Sequence, residues 1–330
     1  MGTILDIKAI NAMSVGFQKS RIILSAAELD IFSKLNERSM TVSELCRVHG
    51  WDSRGLQILL DALASLGLLK KDGNQYRTEP GLSRVLDSGT DESVIPMLRH
   101  RVNMWKSWSN LTSIVSGSFD DESSLRKARS REEMEAFIGA MDVVGTEIAA
   151  TVSGKINLTG KRALLDIGGG SGVYSRSFLE RNPQLLVTLF DLPVVVEISR
   201  KRSAKTTLAD RMRYVEGDFN LDTFPKGHDV ALLSAIIHIN SRDRNRSLFS
   251  RVHDALEPDG MLIIRDYIME ESRTLPVDGA IFAVNMLVAT KGGNTYTFKE
   301  ISEDLIFAGF HDIELTGGND KMDQLLTAIK

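Results

Sequence analysis

The sequence lacks the features that mark a secreted, membrane-spanning or nucleic-acid-binding protein. Its single cysteine, Cys46, has no partner for an internal disulfide, so a reducing, cytoplasmic setting is expected. No apolar run reaches the ~20 residues that cross a bilayer, and the N-terminus does not resemble a signal peptide. The formal net charge of −4 gives no basic field, which argues against nucleic acid and membrane as partners.

Metal-ligand patterns and internal repeats are also missing from the sequence. The six histidines do not cluster with carboxylates at ligand spacing, so no metal site is predicted. What the chain does have is length and apolar content. With 330 residues and 42% hydrophobic residues, it can form one large core or two domains.

Residues 1–90 are predicted to form a winged-helix domain, all-helical apart from one hairpin. Segment 20–35 has apolar residues at helical spacing, and segment 41–50 opens with a capping box and ends at a glycine. A second amphipathic helix is predicted over 52–69. Segment 68–79 then follows as a strand, an Asp-Gly turn and a strand, which is the wing.

The rest of the chain is predicted to be connecting helices over 91–155 and an α/β domain over 156–330. Short apolar strands alternate with helices in the second part: ALLDI, LLVTLFD, MRYVEGD, DVALLSAII and GMLIIRD. Such alternation indicates a mostly parallel, Rossmann-like sheet with both faces covered. The last two strands, HDIELT and QLLTAIK, lie close together in sequence and are expected to be antiparallel.

A glycine-rich loop follows the first of these strands. It fits the pattern D-x-G-x-G-x-G through Asp166, Gly168, Gly170 and Gly172, whereas the nicotinamide fingerprint would need a glycine at Val173. An acid two residues before the loop would repel a pyrophosphate. It suits a ligand with a cationic amino-acid end.

Acidic residues close the next two strands. Asp191 can accept hydrogen bonds from both hydroxyls of a ribose. Asp218 can accept from an adenine amino group, with Phe219 beside the ring. Glycines in turns and acids at strand ends are common structural features on their own. Because the carboxyl ends of parallel strands face one crevice, the combination predicts an S-adenosylmethionine site.

His238 ends the predicted fourth strand, VALLSAIIHINS, at the mouth of the same crevice. A histidine in this position can have a purely structural role. Beside a methyl donor, it is predicted to be the general base that removes a proton from the methyl acceptor.

These motifs resemble the S-adenosylmethionine-dependent O-methyltransferases of the plant caffeate and bacterial antibiotic-tailoring kind. The likeness covers almost the whole chain and is specific in LLDIGGGSG, FDLP, EGDF, IIH and ALEPDGMLII. The resemblance implies a homodimer formed through the N-terminal domain, a histidine base at His238 and a small-molecule acceptor with a phenolic or enolic hydroxyl. The predicted cofactor-binding residues are Asp166, Gly168, Gly170, Asp191, Leu192, Gly217, Asp218, Phe219 and Ser234.

The residues around the base depart from the family pattern. His238 is followed by Ile239 and Asn240, where plant members have Asp-Trp. The two glutamates that support the base in the family are Asp266 and Thr295 in this chain. Asp266 is still predicted to hold the tautomer of the imidazole.

The acceptor pocket is predicted from the connecting helices and the helix GAIFAVNMLVAT. Phe137 and Met141 match family positions that sandwich an aromatic acceptor, although ordinary core packing explains Met141 equally well. Asn285 and Met286 match another wall, and an amide in an apolar helix needs a hydrogen-bond partner. Trp105 is predicted to close the lid.

Two other functions are compatible with parts of this pattern. The same fold can keep the cofactor for a different reaction, such as hydroxylation. A winged helix can also bind DNA, but the predicted recognition helix over 52–67 is apolar, with Arg54 as its only basic residue. The sequence leaves open the identity of the acceptor and the atom that receives the methyl group.

Overall fold

The structure is a computed structural model that describes residues 6–90, 92–120, 130–204, 206–316 and 322–330. It divides into two compact units, Met1–Trp105 and Lys106–Lys330. The predicted division into residues 1–90, 91–155 and 156–330 is a finer one, and it stays a prediction.

The first unit is helical, with a small antiparallel sheet in the order β1-β3-β2. Its helices are α1 (Ile7–Val15), α2 (Phe17–Glu28), α3 (Ile31–Glu37), α4 (Val42–His49) and α5 (Ser53–Ser65), followed by α6 (Ile95–Trp108), which continues into the second unit. Its strands are β1 (Met40–Thr41), β2 (Leu69–Asp72) and β3 (Gln75–Thr78). The predicted wing is the β2–β3 hairpin, and β1 adds a short strand that the sequence pattern does not show.

Local sequence signals explain where these elements begin and end. The capping box of α4 is present, with the Thr41 side chain and Glu44 bonding reciprocally, and Gly50 ends the helix at a φ of 70°. The hairpin turns at Gly73–Asn74, one residue later than the predicted Asp-Gly turn. Segment 20–35, with its apolar residues at helical spacing, is helical but divided between α2 and α3, because the chain breaks at Asp30, whose φ is 55°.

The core of the first unit is built from the apolar faces of its helices and of the hairpin. Phe32, Leu60, Leu63 and Tyr76 are completely buried in it. Cys46 packs against the same core as a free thiol. Segments 21–32 and 56–69 carry more apolar surface than one winged helix is expected to bury, which predicts an obligate homodimer. The structure uses a large part of that surface within one chain.

The second unit is built around a central sheet in the order β11-β12-β8-β7-β4-β5-β6. Its strands are β4 (Ala163–Ile167), β5 (Leu186–Asp191), β6 (Met212–Glu216), β7 (His228–Ser234), β8 (Leu256–Asp266), β11 (His311–Thr316) and β12 (Gln324–Ile329), with β9 (Ile268–Met269) and β10 (Tyr296–Thr297) as a separate parallel pair. Its helices are α7 (Leu111–Val115), α8 (Arg131–Lys155), α9 (Val173–Arg181), α10 (Pro193–Ser203), α11 (Arg242–Ala255), α12 (Val277–Ala289) and α13 (Phe298–Phe307).

Strands β4 to β8 are parallel, and β12 and β11 complete the sheet as antiparallel strands, as the sequence predicts. One face packs Ile167, Leu233 and Ile264 into a core with α11 and α13, and the other packs Leu164 and Leu232 against α8 and α9. The chain runs from β4 outward to β6 and then returns to the other side of β4 at β7. This switch point opens a crevice at the carboxyl ends of β4 and β7.

Helix α8 begins at the predicted capping box of Ser130 and Glu133. In the described part of the chain, no single helix is long and apolar enough to cross a bilayer. By length and composition alone, the two parts of α8 taken together pass that test, as buried core helices also do.

Candidate active site

The glycine loop lies between β4 and α9. Its backbone conformation is one that residues other than glycine rarely adopt. Gly168, Gly170 and Gly172 all have positive φ, at 68°, 56° and 77°. A Cβ on Gly168 would lie 2.4 Å from Cδ1 of Ile236, because the loop passes close to the end of β7. The glycines therefore serve both the turn and the close approach of two strand ends.

Asp191, the last residue of β5, is hydrogen-bonded to the loops on both sides. Its Oδ2 accepts from the Gly170 backbone N–H at 2.9 Å, and its Oδ1 accepts from the Leu192 N–H at 2.7 Å. Its own carbonyl oxygen accepts from the Gly217 N–H at 2.9 Å. The structure thus connects four of the predicted cofactor-binding residues, since Gly170 and Leu192 bind the Asp191 carboxylate and Gly217 binds its backbone carbonyl.

Asp166 lies beneath the loop and is almost completely buried. Burial raises the pKa of its carboxyl group to about 6, against the opposing effect of the hydrogen bond that Ser175 Oγ donates at 2.5 Å. Burial likewise raises the pKa of Asp191 to about 6, against its two backbone hydrogen bonds. Both carboxylates are therefore charged at neutral pH, although their burial disfavours the charged form.

Asp218 and Phe219 follow β6, which ends two residues earlier than the sequence predicts. Asp218 Oδ1 accepts from the Asn220 N–H at 2.8 Å, and the Asp218 N–H donates to Asp222 Oδ2 at 2.8 Å. A Cβ on Gly168 would lie 3.7 Å from Cδ1 of Phe219. The loops after β4 and β6 therefore meet, as the prediction of one shared site requires.

Ser234, the last residue of β7, accepts a hydrogen bond from Arg265 Nη1 at 2.9 Å. Arg265 is a buried cation on β8 that sequence analysis missed. Its Nε donates to the Met322 carbonyl at 2.9 Å, and its guanidinium lies 4.8 Å from the ring centre of Tyr174. The only signal for it in the sequence is a basic residue at the end of an otherwise apolar strand.

His238 lies beyond the end of β7, in a short 3₁₀ turn over Ile237–Ile239. The predicted strand over VALLSAIIHINS is therefore too long, because Ala235 has a φ of 60° and ends the ladder. The His238 Nδ1 lies 2.8 and 2.9 Å from the two carboxylate oxygens of Asp266, the last residue of β8. Both side chains are buried.

This pair fixes the tautomer of the imidazole. A carboxylate only accepts hydrogen bonds, so Nδ1 must carry the hydrogen and Nε2 is the basic nitrogen of the neutral ring. Asp266 Oδ1 also accepts from the Tyr267 N–H at 2.8 Å, which holds the carboxylate in place. Although Asp266 is one methylene shorter than the family glutamate, it reaches the histidine with both oxygens.

The other replaced glutamate, Thr295, lies next to a segment that contacts the His238 backbone. The Asn294 N–H donates to the His238 carbonyl at 3.0 Å, and a Cβ on Gly293 would lie 2.4 Å from that carbonyl oxygen. Thr295 itself is buried, and its carbonyl accepts from Arg273. In the described part of the chain, the hydrogen bonds of the His238 ring are those to Asp266.

Helix α12 places an aromatic ring against the base. Phe282 is edge-to-face with His238, with ring centres 4.8 Å apart. Asn285 lies one turn further along α12, and its Oδ1 accepts from the indole Nε1 of Trp108 at 2.9 Å. No signal in the sequence pointed to Phe282 or to the contact with Trp108, whereas a polar partner for Asn285 was predicted.

The remaining predicted acceptor residues lie on several elements. Met286 is buried on α12. On α8, Met141 is half-buried and Phe137 packs near Ile138, which belongs to a small apolar cluster. Trp105 packs against the core of the first unit, with the Arg21 guanidinium 5.7 Å from its ring centre. The acceptor-binding roles of these residues stay predictions.

Comparison with known proteins assigns the family. Residues 122–311 match the O-methyltransferase domain, and residues 12–87 match the O-methyltransferase dimerisation domain. The chain belongs to the O-methyltransferase family. This confirms the predicted family and the prediction of an S-adenosylmethionine-dependent O-methyltransferase.

Curated relatives and solved structures agree with this assignment. The O-methyltransferase is 29% identical over 316 residues to the tetracenomycin polyketide synthesis 8-O-methyl transferase TcmO of Streptomyces glaucescens, covering 92% of this chain and 91% of the relative. An O-methyltransferase family protein from Burkholderia thailandensis has a similar structure, with a TM-score of 0.83 at 25% identity and 99% of each chain covered. Human N-acetylserotonin methyltransferase in complex with SAM has the same fold, with a TM-score of 0.81 at 24% identity over 100% of this chain and 99% of that one.

The match to a dimerisation domain also gives the winged-helix region a role other than DNA binding. Within the described residues, no three His, Cys, Asp or Glu side chains group together as a metal site. The candidate active site of this O-methyltransferase consists of the glycine loop, the acids at the strand ends and the His238–Asp266 pair.

Proposed function

We propose that this O-methyltransferase methylates the hydroxyl of a phenolic or enolic small molecule, with His238 as the general base. The observation that carries the proposal is the buried His238–Asp266 pair at the carboxyl ends of β7 and β8. It makes Nε2 the proton acceptor beside the crevice where the glycine loop and the strand-end acids meet.

S-adenosylmethionine supplies the reaction with a methyl group already activated on a sulfonium. Asp191 would hold the ribose, because each of its oxygens keeps a lone pair after accepting one backbone hydrogen bond. Asp218 and Phe219 would hold the adenine, and Ser234 would contact the cofactor from the end of β7. The buried charge of Asp166 beneath the loop would favour the cationic amino-acid end.

The remaining task of the protein is to remove a proton and to align the acceptor. Proton transfer from a phenol to free imidazole is uphill by roughly 5 kcal/mol, since their pKa values are near ~10 and ~6.5. An acceptor acidified by its ring substituents lowers this cost. Asp266 contributes by stabilising the imidazolium that forms once Nε2 has taken the proton. A positioned base of this kind contributes about 10²–10⁴-fold to the rate.

The acceptor would lie between the connecting helices and α12. Phe282 against His238 gives this wall an aromatic surface beside the base. Phe137 and Met141 would cover one face of the acceptor, and Met286 and Asn285 would line another. The name of the Streptomyces glaucescens relative, a polyketide synthesis 8-O-methyl transferase, supports a small-molecule acceptor that is methylated on oxygen.

The protein would work as a homodimer formed through its N-terminal domain, in which residues 12–87 match the dimerisation domain. In a single chain, helix α1 has no buried residue, and it exposes Ile7, Ile10 and Met13. Apolar side chains repeated along one short helix are expected to be covered by another protein surface.

The proposal is tested by incubating the protein with labelled S-adenosylmethionine and panels of phenols, enols and amines. Label should appear on the oxygen of phenols or enols, and calorimetry should show binding of S-adenosylhomocysteine but not of NAD. Transfer to amines alone would disprove the hydroxyl acceptor. Tight NAD binding without methyl transfer would disprove the site itself.

A further inference from the structure

The hydrogen bond between Trp108 and Asn285 joins residues that lie 177 positions apart. It connects the end of α6 to α12 within the second unit. Both side chains are partly buried, so the bond is shielded from water on part of its surface. Such a bond holds the amide in one orientation more firmly than an exposed one would.

The chemistry of the two groups decides that orientation. An indole N–H is only a donor, so the side of the amide that faces Trp108 must be the carbonyl oxygen. The two N–H bonds of Asn285 Nδ2 consequently point away from the indole. Among the described residues, no protein group accepts a hydrogen bond from Nδ2.

These donors lie on the helix face that reaches the base. Asn285 is three residues after Phe282, and residues at this spacing are neighbours on a helix surface. Phe282 is the ring that packs edge-to-face on His238. An acceptor held by its hydroxyl at His238 would therefore extend along Phe282 toward the Asn285 amide.

We propose that Trp108 is a positioning residue that aims the Asn285 amide at the acceptor, and that the enzyme selects aromatic hydroxyl acceptors carrying a ring carbonyl. The inference rests on the proposed function. An amide NH₂ offers donors only, so its partner must accept, and a carbonyl oxygen has two lone pairs and no hydrogen. An acceptor without that oxygen would leave a partly desolvated donor unpaired, which costs about 10-fold in transition-state binding.

The test uses hydroxy-1-tetralones and the hydroxytetralins in which the carbonyl is a methylene. The measured quantity is the kcat/KM for each hydroxytetralone divided by the kcat/KM for the corresponding hydroxytetralin. This ratio is compared between protein variants. Comparing ratios between variants cancels the intrinsic difference in acidity between the two phenols. Affinities of the same compounds are also measured by calorimetry with S-adenosylhomocysteine present, where no transfer can occur.

Asn285→Asp keeps an oxygen for Trp108 but loses both donors, and it should lower the ratio by about 10-fold or more. Trp108→Phe should lower the ratio less, because the amide remains but can rotate. In the Asn285→Asp background, Trp108→Phe should have no further effect on the ratio, as expected for a residue that acts through Asn285. Trp51→Phe and Asn74→Asp, in the first unit, are the matched controls and should leave the ratio unchanged.

The inference would be overturned if all variants had the kcat/KM ratio and the ketone affinity of the wild type. The proposed methyl transfer to a hydroxyl would not be affected by that result. Additive effects of Trp108→Phe and Asn285→Asp would overturn the positioning role, since they would show independent packing contributions. If the wild-type protein methylates no phenol, the proposed function fails. The calorimetric preference for the ketones then still decides whether Asn285 reads a carbonyl.

Discussion

At the scale of single residues, the site gives one residue type, aspartate, three different environments. Asp266 is bonded to an imidazole, Asp191 to backbone N–H groups, and Asp166 to a hydroxyl beneath the glycine loop. The first can stabilise a positive charge that forms during the reaction. The other two are buried acids whose pKa values are raised to about 6, which makes them sensitive to pH.

Replacing His238 by alanine should lower the methyl-transfer rate by about 10²-fold or more, because a positioned base is lost. Affinity for S-adenosylhomocysteine should be nearly unchanged, since His238 contacts the acceptor in the proposed reaction. Asp266→Asn should have a smaller effect in the same direction. Initial rates and calorimetry on each variant check this, and added imidazole should partly restore His238→Ala. Full activity of His238→Ala on an acceptor with a high pKa would show that His238 is not the general base.

Asp166 should make the free energy of unfolding fall as the pH rises. Its folded pKa of about 6 lies above the unfolded value of 3.8. The folded chain therefore binds the proton more tightly, and this stability is full below pH 4 and lost as the pH rises to about 6. At ~1.4 kcal/mol per pKa unit, the loss reaches about 3 kcal/mol.

Asp166→Asn can still accept from Ser175 but cannot ionise, so it should avoid this loss. Its Tm relative to the wild type should be higher at pH 7.5 than at pH 5, as measured by calorimetric melting. Asp243→Asn, whose side chain is 94% exposed, should show no such change with pH. If the Tm difference between Asp166→Asn and the wild type were the same at both pH values, the pKa of Asp166 would not be raised by folding.

At the scale of elements, the site depends on turns in which there is no room for a side chain. Gly168 needs a positive φ, and Gly217 has no space for a Cβ beside the ring of Phe190. His238 is delivered by a 3₁₀ turn because Ala235 ends β7. These short segments set the positions of the functional groups more closely than the long helices do.

Gly217→Ala should lower the free energy of unfolding by about 1–3 kcal/mol through overpacking. Its Cβ would lie 2.3 Å from Cζ of Phe190, a buried ring that packs edge-to-face on Phe224 and has little room to move. Gly81→Ala is the control, since a Cβ there meets nothing within 4 Å. Denaturant unfolding measures both. A loss at Gly217 no larger than that at Gly81 would mean that the β5 and β6 ends are loosely packed.

At the scale of the whole molecule, the dimerisation domain and the catalytic fold are carried by one chain. The dimer was expected from the apolar segments of α2, α3 and α5. The structure buries many of these residues within the first unit, but Phe17 of α2 and Ile58 of α5 stay exposed, and α1 exposes Ile7, Ile10 and Met13. The expected interface therefore includes the N-terminal helix α1.

Ile10→Glu should weaken the homodimer, because a charge on α1 would have to be desolvated in the interface. Sedimentation at micromolar concentration should show a dimer for the wild type and a larger monomer fraction for the variant. Ile306→Glu is the control, since this residue is 64% exposed on α13 in the second unit. A wild-type monomer, or an undisturbed Ile10→Glu dimer, would contradict the α1 interface.

The sequence alone determined the features that depend on neighbouring residues. Capping boxes, the hairpin, the alternation of strands and helices along the chain and the glycine loop all follow from local patterns, and the structure has them. The resemblance to the family predicted that Asp266 supports His238, and the two side chains are hydrogen-bonded. Local patterns missed the break at Asp30 and the early end of β7 at Ala235, where positive φ values depend on tertiary packing.

Only the tertiary structure decided which distant side chains meet. Arg265 on β8 bonds to Ser234 on the neighbouring strand β7, and Trp108 on α6 meets Asn285 on α12, 177 residues further along the chain. No periodicity or spacing encodes such contacts, because they depend on how helices and sheet pack once their apolar faces are buried. The sequence thus determined the type of enzyme, whereas the packing decided how its pocket presents hydrogen-bond donors to the acceptor.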